Sequence, residues 1–260
     1  MQGLKFFVIN LIAATQRREY ISNLCLKYHL DFEIIDAVNG KELDESVIAN
    51  VSNPAGSQNL LGRTLSKGEI GCALSHKKAF ERMFALGLEE CVILEDDAWF
   101  DERLEYLLSL RKDFPKDLEL LLLGHYRQVY LDDGFRIESP FSRCYDYALD
   151  STYHLKRLVG GGFGTHALYW KLKGAQKMYQ HLEKILVPYD HSTSDDNVVN
   201  VYALYPVVVE TDEVFGKETS VQDSNTNRTK RRPKWRKYLK RFKKEILFLI
   251  PSFKRLKEYV

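Results

Sequence analysis

Residues 91–97 read Cys-Val-Ile-Leu-Glu-Asp-Asp: four apolar residues that stop abruptly at three consecutive acids. A short apolar run bounded in this way fits a strand buried on both faces, of the kind found at the centre of a parallel sheet. A second such run opens the chain, from Leu4 through Phe6, Phe7, Val8 and Ile9 to Ile12. The spacing then changes. Tyr20, Ile21, Leu24, Cys25 and Tyr28 recur at helical intervals behind Arg17, Arg18 and Glu19, and Phe32, Ile34 and Ile35 form another strand that ends at Asp36. Strand, helix and strand in that order make a β-α-β unit, so the fold class is α/β, with a mostly parallel, Rossmann-type central sheet flanked by helices.

Further along, residues 50–63 are rich in Asn, Ser, Gly and Pro and read as a mobile loop. Ser66-Lys67-Gly68-Glu69 offers a capping box at the start of a helix that Gly87 can end. Residues 118–123 are a third apolar strand, and residues 125–156, rich in Tyr and Asp, read as an irregular, variable region. The glycine-rich stretch 160–164 leads into a strand over 165–170 and a helix over 174–185. Pro188-Tyr189-Asp190, a helix near 195–202 and a strand over 205–210 complete the globular part.

At 260 residues, 45% of them apolar, the chain can build one large core with an appendage, which excludes a disordered or fibrous protein. The net charge of +2 hides a split. Residues 228–260 hold 14 basic and 2 acidic side chains, a net of +12, which leaves 1–227 at −10. We therefore separate a catalytic domain, 1–227, from a basic tail, 228–260. The four cysteines, Cys25, Cys72, Cys91 and Cys144, show no C-x-x-C spacing, which argues against a zinc ribbon or a disulfide framework. The first apolar run is too short for a signal sequence or a membrane span, so the expected location is cytoplasmic.

The chemistry is read from strand ends, because ligands of open α/β sheets bind beyond the carboxyl ends of their strands. Glu95, Asp96 and Asp97 stand there. Three adjacent carboxylates repel one another unless a cation shares them, and hard oxygen ligands select Mg²⁺ or Mn²⁺. An acidic strand-to-helix turn is the competing reading. No G-x-x-x-x-G-K-[ST] loop and no G-x-G-x-x-G follows the first strand, which argues against a nucleoside triphosphatase or a dinucleotide oxidoreductase. Arg17 and Arg18 either pair with phosphate or form a solvated helix start. Ser75 and His76 are neighbours about 100° apart on a helix, so they are no nucleophile–base pair; His76 bonds a nearby loop or lines the pocket. Glu69 is claimed by the capping box before any substrate. Of Thr165 and His166, alternation lets only one face a ligand, and Thr165, with its hydroxyl, is our choice.

Val8-Ile9-Asn10-Leu11, Asp36-Ala37-Val38-Asn39-Gly40, Gly68-Glu69-Ile70-Gly71-Cys72-Ala73-Leu74-Ser75-His76, Leu94-Glu95-Asp96-Asp97, Gly164-Thr165-His166-Ala167 and Pro188-Tyr189-Asp190, in that order, resemble the family 25 glycosyltransferases. That family includes bacterial lipooligosaccharide galactosyltransferases and collagen galactosyltransferases, and the resemblance spans about residues 4–210. It implies a GT-A-like fold, a UDP-sugar donor, usually UDP-galactose, a divalent cation with Mn²⁺ favoured, and inversion at the anomeric carbon. It places the metal on Asp97 first and Glu95 second. The donor pocket it implies holds Asn10, Arg17, Arg18, Asp36, Glu69, Ser75, His76, Asp96 and Thr165. Tyr189 departs from the small β-branched residue common at that position in the family.

Displacement by a sugar hydroxyl needs a base on the acceptor side and charge stabilisation of the departing diphosphate. Asp190, in a loop after a helix and a Pro, is our choice of base, against the reading of a turn Asp that bonds its own backbone. Asp196 is the reserve, although Asp195 and Asp196 also suit a helix start. In the tail, Trp235, Tyr238, Leu239, Phe242, Ile246 and Leu249 fall on one helical stripe with Lys and Arg opposite. This amphipathic pattern over 230–258 predicts peripheral contact with an anionic membrane, the cytoplasmic face of a bacterial inner membrane, where a glycolipid acceptor would lie. Packing onto the catalytic domain is one alternative. Nucleic-acid binding, which leaves the apolar stripe facing nothing, is the other, and no nucleic-acid partner is expected. A silent nucleotide- or glycan-binding protein of the same fold, and a transferase using UDP-glucose, are the rival functional readings.

Overall fold

The computed structural model describes residues 3–125, 128–131, 134–137, 141–159, 162–215 and 242–246. In chain order the first half comprises β1 (Lys5–Asn10), α1 (Thr15–Lys27), β2 (Asp31–Asp36), α2 (Glu45–Val51), α3 (Pro54–Leu61), α4 (Lys67–Ala85), β3 (Glu90–Glu95), β4 (Ala98–Phe100), α5 (Glu102–Ser109) and β5 (Leu120–Leu122). The second half comprises β6 (Gln128–Leu131), β7 (Gly134–Ile137), β8 (Phe141–Ala148), β9 (His154–Leu158), β10 (Ala167–Lys171), α6 (Leu172–His181), α7 (Tyr189–Thr193), β11 (Val201–Tyr205) and β12 (Val209–Thr211).

Eight strands form the central sheet in the order β2-β1-β3-β10-β5-β11-β9-β8. β10 runs antiparallel to both β3 and β5, and β9 runs antiparallel to β11 and β8, so the other six strands share one direction. The sheet is thus mixed but mostly parallel, as expected. Because β1 and β3 are central, both of their faces are covered. Phe6, Val8, Val92 and Leu94 pack on one side with Ile21 and Cys25 of α1 and Leu104, Leu107 and Leu108 of α5. Phe7, Ile9, Cys91 and Ile93 pack on the other with Ile70, Ala73, Phe80 and Met83 of α4 and Ala175 and Met178 of α6. That two-sided burial is why neither strand shows a polar–apolar alternation.

Four readings need correction. The stretch 50–63 is not a loop: it holds the end of α2 and all of α3. Asn53 accepts from the backbone N–H of Gly56 at 2.9 Å, Pro54 sits in the first turn, and Gly62 ends the helix with φ +78°. The same Asn, Pro and Gly that suggested a loop are a helix start and stop. The region 125–156 is not irregular either, since β8 and β9 extend the central sheet and β6 pairs with β7. In β8 only Ser142 is buried, so this edge strand carries almost no apolar signal. The helix expected near 195–202 is absent. A short helix, α7, lies earlier, and Val201–Leu204 is a buried strand whose continuous apolar run cannot be told from helix by periodicity. The last strand divides into β11 and β12, the latter pairing with β4.

The capping box forms as read: Ser66 Oγ accepts from Glu69 N at 3.2 Å, and Glu69 accepts from Ser66 N at 2.7 Å. All four cysteines are free thiols. Among the described residues no helix is long and apolar enough to cross a membrane. Of the amphipathic tail only residues 242–246 are described. They are helical, with Phe242 and Ile246 exposed and Glu245 accepting from Arg143 N at 3.0 Å. The remainder of the pattern read over 230–258 lies outside the described residues.

Candidate active site

The pleat of β3 decides how the acidic triplet is used. Cys91 and Ile93 face α4 while Val92 and Leu94 face α1 and α5, so Glu95 turns to the α4 side and Asp96 to the α1 side. Asp96 is held by two donors at the end of β1 and the start of α1. Asn10 Nδ2 donates to it at 2.7 Å and Arg17 donates at 2.9 Å. Arg17 also reaches the carbonyl of Phe215 at 2.6 Å and stands 3.8 Å from Asp97. Asp97, past the pleat, keeps its Oδ1 buried without a hydrogen-bond partner among the described residues. Burial first, then the charges of Glu95 and Asp96, push the Asp97 carboxyl up to about 7 against the pull of Arg17. Asp96 is raised by burial in the same way, although Asn10 and Arg17 oppose the shift. The corner therefore holds more negative charge than its own cation neutralises.

On the α4 side, Glu95 accepts from Thr165 Oγ1 at 2.5 Å and lies 3.5 Å from His76 Nε2 and 4.0 Å from Cys72 Sγ. Burial would raise Glu95, but His76 and Thr165 hold it below its usual value. His76 is fully buried, its ring stacks on Tyr189 at 4.1 Å, and desolvation lowers its pKa against the pull of Glu95. Ser75 accepts from Val38 N at 2.9 Å and donates to Gly71 O at 2.7 Å, which ties the loop after β2 to α4. That loop comes so close that a Cβ on Gly71 would lie 2.8 Å from both Gly40 N and Val38 O.

These elements enclose a cleft of about 850 Å³ at the carboxyl ends of β1 and β3. Arg17, Ser75, His76, Glu95, Asp96 and Asp97 line it, together with the backbone-rich segments 37–41 and 65–68. A larger cavity, about 1050 Å³, lies at the opposite end of the sheet and contains none of the triplet.

The remaining sequence candidates divide. Asp190, in the first turn of α7, is half-buried, and desolvation with the nearby charges of Glu69 and Glu95 raises its carboxyl, with His191 opposing. Glu69 is taken by the cap and by Arg63, which donates to it at 2.5 and 2.8 Å. Thr165 spends its hydroxyl on Glu95 instead of facing the cleft, while His166 turns the other way, toward Val209 O at 3.4 Å. Arg18 and Asp36 face each other at 3.6 Å, about half exposed, outside the residues that line the cleft. Asp196 must be given up as the reserve base. It pairs with the buried Arg157 at 2.7 Å and lines the opposite cavity. Two residues of the site escaped the reading of the sequence. Tyr189 is the aromatic floor under His76, and Cys72 stands one helical turn before His76, an i, i+4 spacing that signals a shared face.

With this geometry in view, the similarities are specific. The family model described as "Glycosyltransferase family 25 (LPS biosynthesis protein)" matches residues 3–193. The "Probable inactive glycosyltransferase 25 family member 3" of Bos taurus is 30% identical over 181 residues, 66% of this chain and 28% of that protein. The "Procollagen galactosyltransferase 1-B" of Xenopus laevis is 34% identical over 128 residues, 46% of this chain and 21% of that protein. The "Inactive glycosyltransferase 25 family member 3" of Mus musculus is 35% identical over 139 residues, 51% and 23% respectively. The chain thus spans about a quarter of the length of these curated relatives.

Proposed function

The chain belongs to glycosyltransferase family 25, and we propose that it is an inverting, metal-dependent hexosyltransferase. It moves galactose from UDP-galactose, in β linkage, to a terminal sugar of a bacterial lipooligosaccharide or lipopolysaccharide. The observation that carries this reading is the over-acidic corner of the cleft, where Asp97 Oδ1 is buried with no partner among the described residues, beside two further carboxylates. An orphaned carboxylate oxygen there fits a hard divalent cation, Mn²⁺ or Mg²⁺, with Asp97 as first ligand and Glu95 as second. When bound, such an ion supplies countercharge to the departing diphosphate.

The protein's own groups do the rest. Asn10 and Arg17 lock Asp96, and Arg17 presents a guanidinium beside the same corner for the donor phosphates. Ser75 fixes the loop after β2, whose backbone forms the opposite wall of the donor pocket. Asp190 accepts the proton of the acceptor hydroxyl as its oxygen bonds to the anomeric carbon. The bond from that carbon to the diphosphate breaks in the same step, so the configuration inverts and UDP leaves. A raised carboxyl pKa suits this role, since a carboxylate closer to the operating pH is the stronger base.

A second reading, a silent sugar-nucleotide binder, is favoured by the relatives whose names call them inactive. UDP release separates the two. With UDP-galactose, Mn²⁺ and a glycolipid acceptor, the protein should release UDP, and Asp97→Ala and Asp190→Asn should each abolish release. Full activity of Asp190→Asn would remove the base assignment, and absence of release with every UDP-sugar, UDP-glucose included, would favour the binder. The basic segment 230–258 is assigned to an anionic membrane surface, which liposome flotation of the intact chain against one stopped at Asn227 tests. Equal flotation of both would refute it.

A further inference from the structure

We propose that Cys72, His76 and Glu95 form a site for a borderline transition metal, zinc or cobalt, adjoining the hard-cation corner at Asp97, with which it shares Glu95. Cys72 and His76 are four residues apart on α4 and so share one face of the helix, and Glu95 meets them from the end of β3. One ligand atom from each, Cys72 Sγ, His76 Nε2 and a Glu95 oxygen, lies within 4.8 Å of the other two. Two of the three separations are 3.5 and 4.0 Å. Ligands on a tetrahedral zinc, with bonds of about 2.0 to 2.3 Å, stand roughly 3.3 to 3.8 Å apart, so small side-chain movements suffice to close the set.

The second observation is His76 itself. It is 0% exposed, its Nε2 meets only the Glu95 carboxylate at a long 3.5 Å, and Nδ1 has no hydrogen-bond partner among the described residues. A buried imidazole so weakly partnered is costly, and the stack on Tyr189 fixes its ring in plane without satisfying either nitrogen. A metal on Nε2 would satisfy one of them. Thr165 steadies the Glu95 carboxylate from behind, as supporting hydrogen bonds do around metal ligands.

The donor atoms set the class of metal. Sulfur, imidazole nitrogen and one oxygen suit zinc and cobalt, whereas magnesium and manganese prefer oxygen alone. Three protein ligands leave a fourth position, and it opens on the cleft because all three residues line it. On binding, the Cys72 thiol gives its proton to solvent and the thiolate bonds the ion. Glu95 would then be shared between two sites, so zinc should inhibit transfer; that consequence alone rests on the function proposed above.

The test is cobalt titration of the intact, reduced, chelator-treated protein, read by the near-ultraviolet thiolate-to-cobalt absorption. The band should saturate at one ion per chain, vanish in Cys72→Ser, and need about tenfold or more cobalt in His76→Gln. It should persist in Asp97→Asn and in Cys144→Ser. A wild-type protein with no band, or a band that survives Cys72→Ser and is lost in Cys144→Ser, overturns the proposal. Should Cys72→Ser fail to fold by circular dichroism, X-ray absorption of the zinc-loaded wild type decides, one sulfur per zinc being expected and a sulfur-free shell refuting the site. None of these readouts depends on UDP release, so the two proposals fail separately.

Discussion

Replacing Asp97 by Asn removes one of three adjacent carboxylates from a corner where Arg17 is in direct contact, and nearly preserves its shape. The folded protein keeps the Asp97 carboxyl protonated to about 7, against an ordinary 3.8. Below about pH 4 the group is neutral in folded and unfolded chains alike and contributes nothing. Between those values the unfolded chain releases its proton and the folded one retains it, so stability falls as pH rises; above about 7 the full penalty applies. At about 1.4 kcal/mol per pH unit the ceiling is about 4 kcal/mol. That ceiling already includes the attraction of Arg17; the asparagine amide in turn is left in the corner without a partner, at a cost of about 1 to 3 kcal/mol, so the expected gain in cation-free protein is about 2 kcal/mol, or about 4 to 8 °C in melting temperature for a chain of this size. The assay is thermal unfolding with a chelator at pH 8.5 and again at pH 4.5. The variant should melt higher at pH 8.5, and the gain should shrink at the lower pH. Added Mn²⁺ should stabilise the wild type but not the variant. A variant no more stable than the wild type at pH 8.5 would refute the claim that the corner is over-acidic.

The opposite effect is expected at Asp196. Removing it by Asp196→Ala takes the paired carboxylate from the buried Arg157, leaving its charge to Asn200 and the Tyr202 ring, and should cost about 3 kcal/mol in denaturant unfolding, while KM for a UDP-sugar stays unchanged. Gly71→Ala should destabilise by about 1 to 3 kcal/mol, because its Cβ would press the backbone of Val38 and Gly40 and spread the donor wall; retained stability would show that the contact relaxes freely. Ser66→Ala removes the cap of α4 and should cost about 1 kcal/mol by the same measurement, with no change of fold by circular dichroism.

Parts of the site were legible because they depend on neighbours in the chain. The acids after residues 91–94, the box at Ser66 and Glu69, and the β-α-β opening are local patterns, set by side-chain period and capping chemistry. Asn10 was legible as a strand-end residue, yet its bond to Asp96 joins positions 86 apart. Asp190 reads as a loop residue and Asp196 as an acid at a helix start, but neither pattern says what the side chain meets. The first is half-buried near Glu69 and Glu95, while the second is tied to Arg157. Edge strand β8 was not legible, since with a single buried residue it has no apolar face to read.

Sequence alone determined the α/β class, the position of the acidic triplet at a strand end, and the helix that carries Cys72, Ser75 and His76, because each follows from residues within a turn or a strand of one another. Tertiary structure decided how those groups are shared. The pleat sends Glu95 and Asp96 to opposite faces, α4 brings Cys72 and His76 to one of them, and Arg17 arrives at the other. The cause is packing: contacts between elements far apart in the chain depend on which face each buries, and no local pattern encodes the partner a face will meet.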